Sequence, residues 1–302
     1  MAVAARSGWR LWRPSARGWL GVLLMGPSAI VVAFLIIYPL ACALDLSFQK
    51  IRITRVGAAR LPFTLDNYSR ALASDDFWNA ALVSLGFVIL VTLGCFIVGV
   101  GCALLVNQRF PGRRIARLLV ALPWAVPEVV AATIWAWMFD GSFGVINWML
   151  LKLGLVNAPV AWLSQPHEAF AVCTIALIWS GYPFVAVMAL AGLQAIPGEL
   201  YEAAQMDGAR AWQRFRHVTL PALRPVCAIA LVLVVLRVVR DFATVFVITG
   251  GGPVGATRSL AVYTYEQAFS FYNIGYAAAV GLITLALCAA FSGMVVRKTV
   301  AP

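Results

Sequence analysis

Long uncharged stretches alternate with short polar segments along the whole chain. Six of these stretches are long enough to cross a bilayer as helices, which takes about 20 apolar residues each. They predict membrane spans at about residues 18–44, 77–108, 118–139, 169–195, 225–249 and 274–296. The pattern therefore predicts an all-α, polytopic membrane protein with six transmembrane helices. After an N-terminal segment at residues 1–17, one transmembrane domain is expected over residues 18–298.

Two of the six spans are interrupted by residues that are costly at membrane depth. The third contains Pro123 and Pro127, followed by the acidic Glu128. The fifth contains three charged residues, Arg237, Arg240 and Asp241. Helix breaks inside a membrane are tolerated where they line a cavity, and ionisable groups there face a partner or water. We therefore expect the third and fifth spans to lie beside a polar pathway.

Composition and charge support a membrane protein and indicate its orientation. Hydrophobic residues make up 62% of the chain, and the net charge is +11. The basic residues cluster at the ends of apolar spans, which is typical of topology signals and not of a nucleic-acid surface. The segments predicted to lie inside carry 14 Lys and Arg residues, against seven in the outside loops. We therefore expect both termini to be cytoplasmic. If the fifth span did not cross, the basic C-terminal end would lie outside.

The longest polar gap between two spans, residues 197–221, predicts a short helix outside the lipid. Pro197 suits its first position, because proline has no N–H that would need a partner there. Gly208 is expected to end it. Ala203 and Ala204 lie with Leu200 on a face of little bulk that suits insertion into a partner's groove. We expect Asp207 or Gly208 to cap the next helix.

Three motifs in this gap resemble the EAA loop of binding-protein-dependent ABC import permeases: Glu202-Ala203-Ala204, Asp207-Gly208-Ala209 and Thr219-Leu220-Pro221. Later motifs are similar to those of the MalF-type carbohydrate permeases and their glycerol-phosphate relatives. They are Thr249-Gly250-Gly251-Gly252-Pro253, Thr257, Tyr263-Thr264-Tyr265 and Ala268-Phe269. The resemblance covers nearly the whole chain. The chain departs from the maltose-system founder of this family in lacking its extra N-terminal helices and its large external domain.

The resemblance implies a transmembrane subunit of a type I importer in a bacterial inner membrane. Its partners would be a second, homologous permease subunit, two ATPase subunits and an extracytoplasmic solute-binding protein. ATP and Mg would be used by the ATPase subunits, and this chain would bind no cofactor. The residues implied to dock on the ATPase are Glu202, Ala203, Ala204, Asp207 and Gly208. The substrate implied is a sugar or sugar derivative.

Candidate substrate contacts are aromatic and charged residues of the third, fourth and fifth spans. Aromatic rings stack on the apolar faces of sugars, and intramembrane charges are often functional. The candidates are Glu128, Trp135, Trp179, Tyr182, Arg237 and Arg240. The aromatic residues also fit a role as interface anchors or packing residues, because Trp and Tyr concentrate at membrane interfaces.

Other functions remain open to different degrees. An anionic substrate, such as glycerol phosphate or a glycerophosphodiester, would be expected to use Arg237 or Arg240; a polyol is a further alternative. A secondary transporter would work without ATPase partners.

A membrane oxidoreductase is disfavoured, because His167 and His217 lie at span ends. The chain has no Walker-type motif and no metal-binding cysteine spacing, so ATP hydrolysis is assigned to a partner and the cysteines to packing.

Overall fold

A computed structural model of the protein describes residues 16–51 and 63–300, so almost all of the predicted segment 1–17 lies outside the described residues. No strand is formed within the described ranges. The helices are α1 (Ala16–Val32), α2 (Tyr38–Ser47), α3 (Asp66–Leu72), α4 (Asp75–Asn107), α5 (Arg113–Ala125), α6 (Glu128–Met138), α7 (Val145–Lys152), α8 (Pro166–Gln194), α9 (Gly198–Met206), α10 (Ala211–Arg214), α11 (Leu220–Arg240), α12 (Ala243–Thr249), α13 (Leu260–Tyr265) and α14 (Ile274–Val300).

Within residues 16–51 and 63–300, five helical stretches are long and apolar enough to cross a membrane: Leu23–Ser47, Asp75–Asn107, Pro166–Gln194, Ala211–Arg240 and Ile274–Lys298. Taken together as one broken span, α5 and α6, which meet at an angle of 94°, make the sixth. The prediction of an all-α protein with six spans is therefore confirmed. Wider turns of π-helix join α1 to α2 and α10 to α11, so each pair continues as one span.

The centre of the bundle is the long contact between α4 and α8. Gly99 allows the two helices to approach closely: a Cβ there would lie 2.7 Å from Cβ of Val185 and 2.8 Å from the carbonyl oxygen of Tyr182. Towards the start of both helices, the rings of Phe87 and Phe170 stack at 4.3 Å. Small residues at helix contacts are typical of membrane proteins, where packing replaces the hydrophobic effect between helices.

The break in the third span is explained by its prolines. Val126 has an extended backbone between α5 and α6, and Pro127 is the N-cap of α6. A proline disfavours helical geometry in the residue before it and has no N–H for the helix ladder. The chain therefore turns between Ala125 and Glu128, and α6 packs against α12.

The fifth span differs from the predicted segment at residues 225–249. The helix that begins at Ala211 ends at Arg240, and α12 begins separately after Asp241 and Phe242. The Asp241 carboxylate accepts hydrogen bonds from the backbone N–H and the hydroxyl of Thr244, both at 3.1 Å. An aspartate in this position favours a helix start over a continuous helix.

The loop after α12 contains the glycine-rich motif and is held firmly in place. The buried Thr257 hydroxyl donates to the carbonyl oxygen of Gly252 at 2.7 Å and lies 2.7 Å from the hydroxyl of Thr249. Arg258 forms an ion pair with Asp76 at the start of α4. The loop is thereby fixed to α4.

Replacing Gly99 by Ala should destabilise the protein by about 1–3 kcal/mol, because the added methyl group overpacks the α4–α8 contact. The matched control is Gly101→Ala on the same helix, where a Cβ would have no neighbour within 4 Å. The control should be neutral or slightly stabilising. Thermal unfolding in detergent measures both variants. Equal midpoints for the two would contradict a close α4–α8 contact at Gly99.

Candidate functional site

A cavity of about 200 Å³ lies where the two helix breaks meet α8. It is bounded by the α5–α6 break, by the middle of α8, by the last turn of α11 and by the first turn of α12. The lining residues are Pro123, Trp124, Val126, Glu128, Ala131, Ala132, Trp135, Ala176, Ser180, Arg237 and Thr244. The two interrupted spans are thus neighbours and enclose one polar space.

The charged groups of the cavity are paired with one another. One terminal nitrogen of Arg237, Nη2, donates to the hydroxyl of Ser180 at 3.0 Å and lies 3.8 Å from Oε1 of Glu128. The buried Asp241 carboxylate lies outside the lining and accepts two hydrogen bonds from Thr244. Glu128 and Ser180 are therefore the partners of the guanidinium, whereas Asp241 is satisfied by Thr244. Arg237 and Glu128 both stay partly exposed, so their charges are open to a solute in the cavity.

Arg237 reaches the cavity because α8 has no side chain in its way. A Cβ at Gly181 would lie 2.8 Å from Nη1 of Arg237 and 2.7 Å from the sulfur of Cys95. Gly181 is therefore a positioning residue for the guanidinium, although it does not line the cavity itself.

Aromatic rings form the apolar part of the wall. Trp135 on α6 meets Trp179 on α8 edge to face, with ring centroids 6.0 Å apart. Trp124 at the end of α5 meets Phe184 in the same way at 6.1 Å. The cavity thus combines indole faces with hydrogen-bond donors and acceptors, a combination suited to hydroxyl-rich molecules.

The structure brings together only some of the candidate pathway residues. Glu128, Trp135 and Arg237 line the cavity. Trp179 is not part of the lining but packs edge to face against Trp135. Tyr182 is half-buried on α8 and is not part of the lining. Arg240 is exposed, and its Nε donates to the carbonyl oxygen of Leu236 at 3.3 Å. Arg240 is not part of the lining either.

Sequence reasoning missed Ser180 and Thr244, two polar residues of the wall. The spacing of Asp241 and Thr244 is a helix-start signal within an apolar stretch, and it was available in the sequence. No comparable signal singles out Ser180, because its importance depends on contact with Arg237 across the helix pair. The part of the chain that the structure describes contains no cluster of His, Cys, Asp or Glu suited to a metal ion.

The second candidate region is α9, which protrudes at the end of the bundle where α8 ends and α11 begins. None of its residues is buried. Glu202, Ala203, Asp207 and Gly208 are exposed, and Ala204 is half-buried. α9 begins at Gly198 with Pro197 as its N-cap, one residue later than predicted. A helix exposed on nearly all sides is available to a partner.

Two contacts hold α9 at a defined angle to the following helix. Gly208 has φ of 77°, in the left-handed region that favours glycine. The backbone N–H of Ala209 then donates to the carbonyl oxygen of Ala204 at 2.9 Å, closing the helix end. The hydroxyls of Tyr201 and Thr219 lie 3.0 Å apart and join α9 to the start of α11.

The predicted cap of the next helix was wrong. The N-cap of α10 is Arg210, not Asp207 or Gly208. Its backbone N–H donates to Oε1 of Gln213 at 2.7 Å. The reason is that Gly208 and Asp207 are used to end α9, so that the chain has two further residues before α10 begins.

Replacing Arg237 by Met should destabilise the protein by about 1–2 kcal/mol, because Glu128 loses its cation and Ser180 loses a charged donor. Arg240→Met is the matched control, since that side chain is exposed. Adding Glu128→Gln to Arg237→Met should recover part of the loss, because it removes the carboxylate left without its cation. Thermal unfolding of the purified protein measures all three; equal effects at 237 and 240 would contradict the pairing.

Comparisons with known proteins agree with this architecture. The family model described as "Binding-protein-dependent transport system inner membrane component" matches residues 95–297. The trehalose/maltose transport system permease protein MalF of Thermococcus litoralis is 39% identical over 90% of this chain and 91% of its own. The sulfoquinovosyl glycerol permease SmoG of Agrobacterium fabrum is 34% identical over 96% and 93%.

Among solved structures, a bacterial ABC transporter involved in the import of the acidic polysaccharide alginate superposes with a TM-score of 0.82. The match covers 96% of this chain and 98% of that one at 23% identity, so it shows a shared fold. Six spans, a protruding helix between the fourth and fifth, and these similarities lead to one assignment. This chain belongs to the binding-protein-dependent transport system inner membrane component family, whose members are transport subunits and not enzymes.

Proposed function

We propose that this chain is a permease subunit of an ATP-driven importer and that it moves a sugar or sugar derivative across the membrane. The observation that carries the proposal is the cavity at the two helix breaks. It offers indole faces and paired polar groups at membrane depth, and both features suit a ring with many hydroxyl groups. The relatives named for trehalose, maltose and sulfoquinovosyl glycerol support a carbohydrate.

The charges of the cavity favour an uncharged sugar. Arg237 is already paired with Ser180 and Glu128, so an anionic substrate would compete with the Glu128 carboxylate. Arg240, the other arginine of this span, does not line the cavity. Sugar hydroxyls could instead donate to Glu128 and accept from Arg237. Glycerol phosphate and glycerophosphodiesters are therefore the weaker alternatives.

We assign α9 the role of coupling helix. Glu202 would make the polar contact with an ATPase subunit, and Ala203 and Ala204 would allow close approach. Asp207 and Gly208 would set the turn. Exposure of α9 supports docking, and the Tyr201–Thr219 contact provides a direct link to α11, which carries Arg237 to the cavity.

The assembly we propose contains a second homologous permease subunit, two ATPase subunits and an extracytoplasmic solute-binding protein. ATP and Mg would be bound by the ATPase subunits. The alginate importer has been solved in complex with a periplasmic protein carrying an alginate pentasaccharide, which supports the last partner. Both termini and α9 would lie in the cytoplasm, in keeping with the basic residues at that end of the bundle.

Replacing Gly208 by Ala should reduce sugar-stimulated ATP hydrolysis about fivefold, because a Cβ in the left-handed region costs about 1–2 kcal/mol and shifts the turn. Glu202→Lys should reduce it further. The measurement is ATPase activity of the complete complex in nanodiscs, with and without sugar-loaded binding protein.

The matched control for Gly208→Ala is Gly198→Ala. Both glycines have open space around the Cβ position, but only Gly208 has positive φ. Stimulation that is lost equally in both variants, or in neither, would contradict a specific turn. Solute transport by this chain without ATPase subunits would replace the importer with a secondary transporter.

Replacing Glu128 by Gln should raise the KM for a neutral disaccharide about tenfold, because a charged acceptor of sugar hydroxyls is lost. Glu168→Gln, in the first turn of α8 and outside the cavity lining, is the control. Uptake into proteoliposomes that contain the full complex provides the measurement. An unchanged KM would remove Glu128 from the pathway, and preferential uptake of an anionic sugar would contradict the neutral class.

A further inference from the structure

A second concave surface lies on the outside of the bundle, away from the cavity at the two helix breaks. It is a groove of about 550 Å³ between α4, α11 and α14. Apolar side chains form most of its walls, including Phe96 on α4, Leu231 and Val235 on α11, and Phe291 on α14. Among the residues that the structure describes, Arg224 is the only charged one in its lining. An apolar groove that ends at a cation needs an amphipathic occupant.

The charge at this end of the groove lacks a counter-ion. Arg224 is exposed, and its side chain has no ion pair with any residue in 16–51 or 63–300. Lys298 lies seven residues, or about two helical turns, after Phe291 and so shares its helix face. Lys298 is exposed too. Arg224 is therefore the cation of the groove itself, and Lys298 lies beyond its lining on the α14 side.

The length of the groove matches one membrane leaflet. Arg224 and Val235 are eleven residues apart on α11, which corresponds to about 16 Å at 1.5 Å per residue. Half of a hydrocarbon core about 30 Å thick is about 15 Å. A molecule with its charge at Arg224 would thus end near the middle of the bilayer. The predicted topology places Arg224 on the cytoplasmic side, where anionic lipids are attracted to basic residues.

We propose that this groove binds one anionic glycerophospholipid, with its phosphate at Arg224 and an acyl chain along α4, α11 and α14. The site does not depend on the sugar assignment, because it shares no lining residue with the cavity. Lipid would complete the outer surface where the three helices leave a gap. A transmembrane helix of the second permease subunit is the competing occupant.

The test is native mass spectrometry of the complete complex, released from nanodiscs of phosphatidylglycerol and phosphatidylcholine. Wild type should retain phosphatidylglycerol. Arg224→Gln should lower the retained amount about fivefold, in keeping with about 1 kcal/mol for each basic residue near a charged membrane surface. Arg109→Gln removes the same charge from another basic segment outside the groove and should retain the lipid.

A second pair of variants tests the apolar part without changing charge. Ala228→Trp should fill the groove and expel the lipid, whereas Ile229→Trp, on the next and exposed residue outside the lining, should not. Unchanged ATPase activity in the same samples confirms that each complex is assembled. Retention that is indifferent to both Arg224→Gln and Ala228→Trp would overturn the proposal.

Photolabelling separates the two occupants directly. Phosphatidylglycerol with a diazirine on its acyl chain should label α11 near Leu231 and α14 near Phe291 in the intact complex. Labelling confined to other surfaces would overturn the lipid site. The lipid site would also be overturned if a cross-linker placed at Ala228 joined this chain to the second permease subunit.

Discussion

The close contact between α4 and α8 is the constraint on which the rest of the structure depends. In lipid, helices gain little from burying apolar surface, so backbone approach and shape determine their packing. Gly99 lets α4 reach the backbone of α8 at Tyr182, and Gly181 leaves space on α8 for Arg237. α8 therefore supplies both the packing surface for α4 and the space that Arg237 needs to reach the cavity.

The cavity exists because two spans are interrupted at the same level. Pro127 breaks the third and Asp241 the fifth, and each break is followed by a short helix, α6 or α12, that packs on the other. Irregular backbone at membrane depth is stable only where protein or water satisfies it. The breaks, the paired charges and the aromatic wall are thus parts of one arrangement, in which polar groups compensate one another.

α11 joins this arrangement to the protruding end of the molecule. It begins beside α9, where the Tyr201 and Thr219 hydroxyls meet, and ends beside the cavity with Arg237. A rigid helix with one end at each region is a physical route for coupling between them. The left-handed turn at Gly208 matters for the same reason, because it determines the direction in which the chain leaves α9 towards α10 and α11.

The amino-acid sequence by itself determined the six apolar spans, the basic segments between them, the α9 helix and the family motifs. These features are local, since hydrophobic length, proline, glycine and charge act through neighbouring residues. The candidate site was only partly predictable: Glu128, Trp135 and Arg237 were identified as costly or aromatic residues within spans.

Tertiary structure alone decided that these three residues share a cavity with Ser180 and Thr244, and that Arg240, three residues from Arg237, lies outside it. The reason is geometric. Which residues of different helices meet depends on helix rotation, crossing and the angle at each break, and these depend on packing between segments that are distant in sequence.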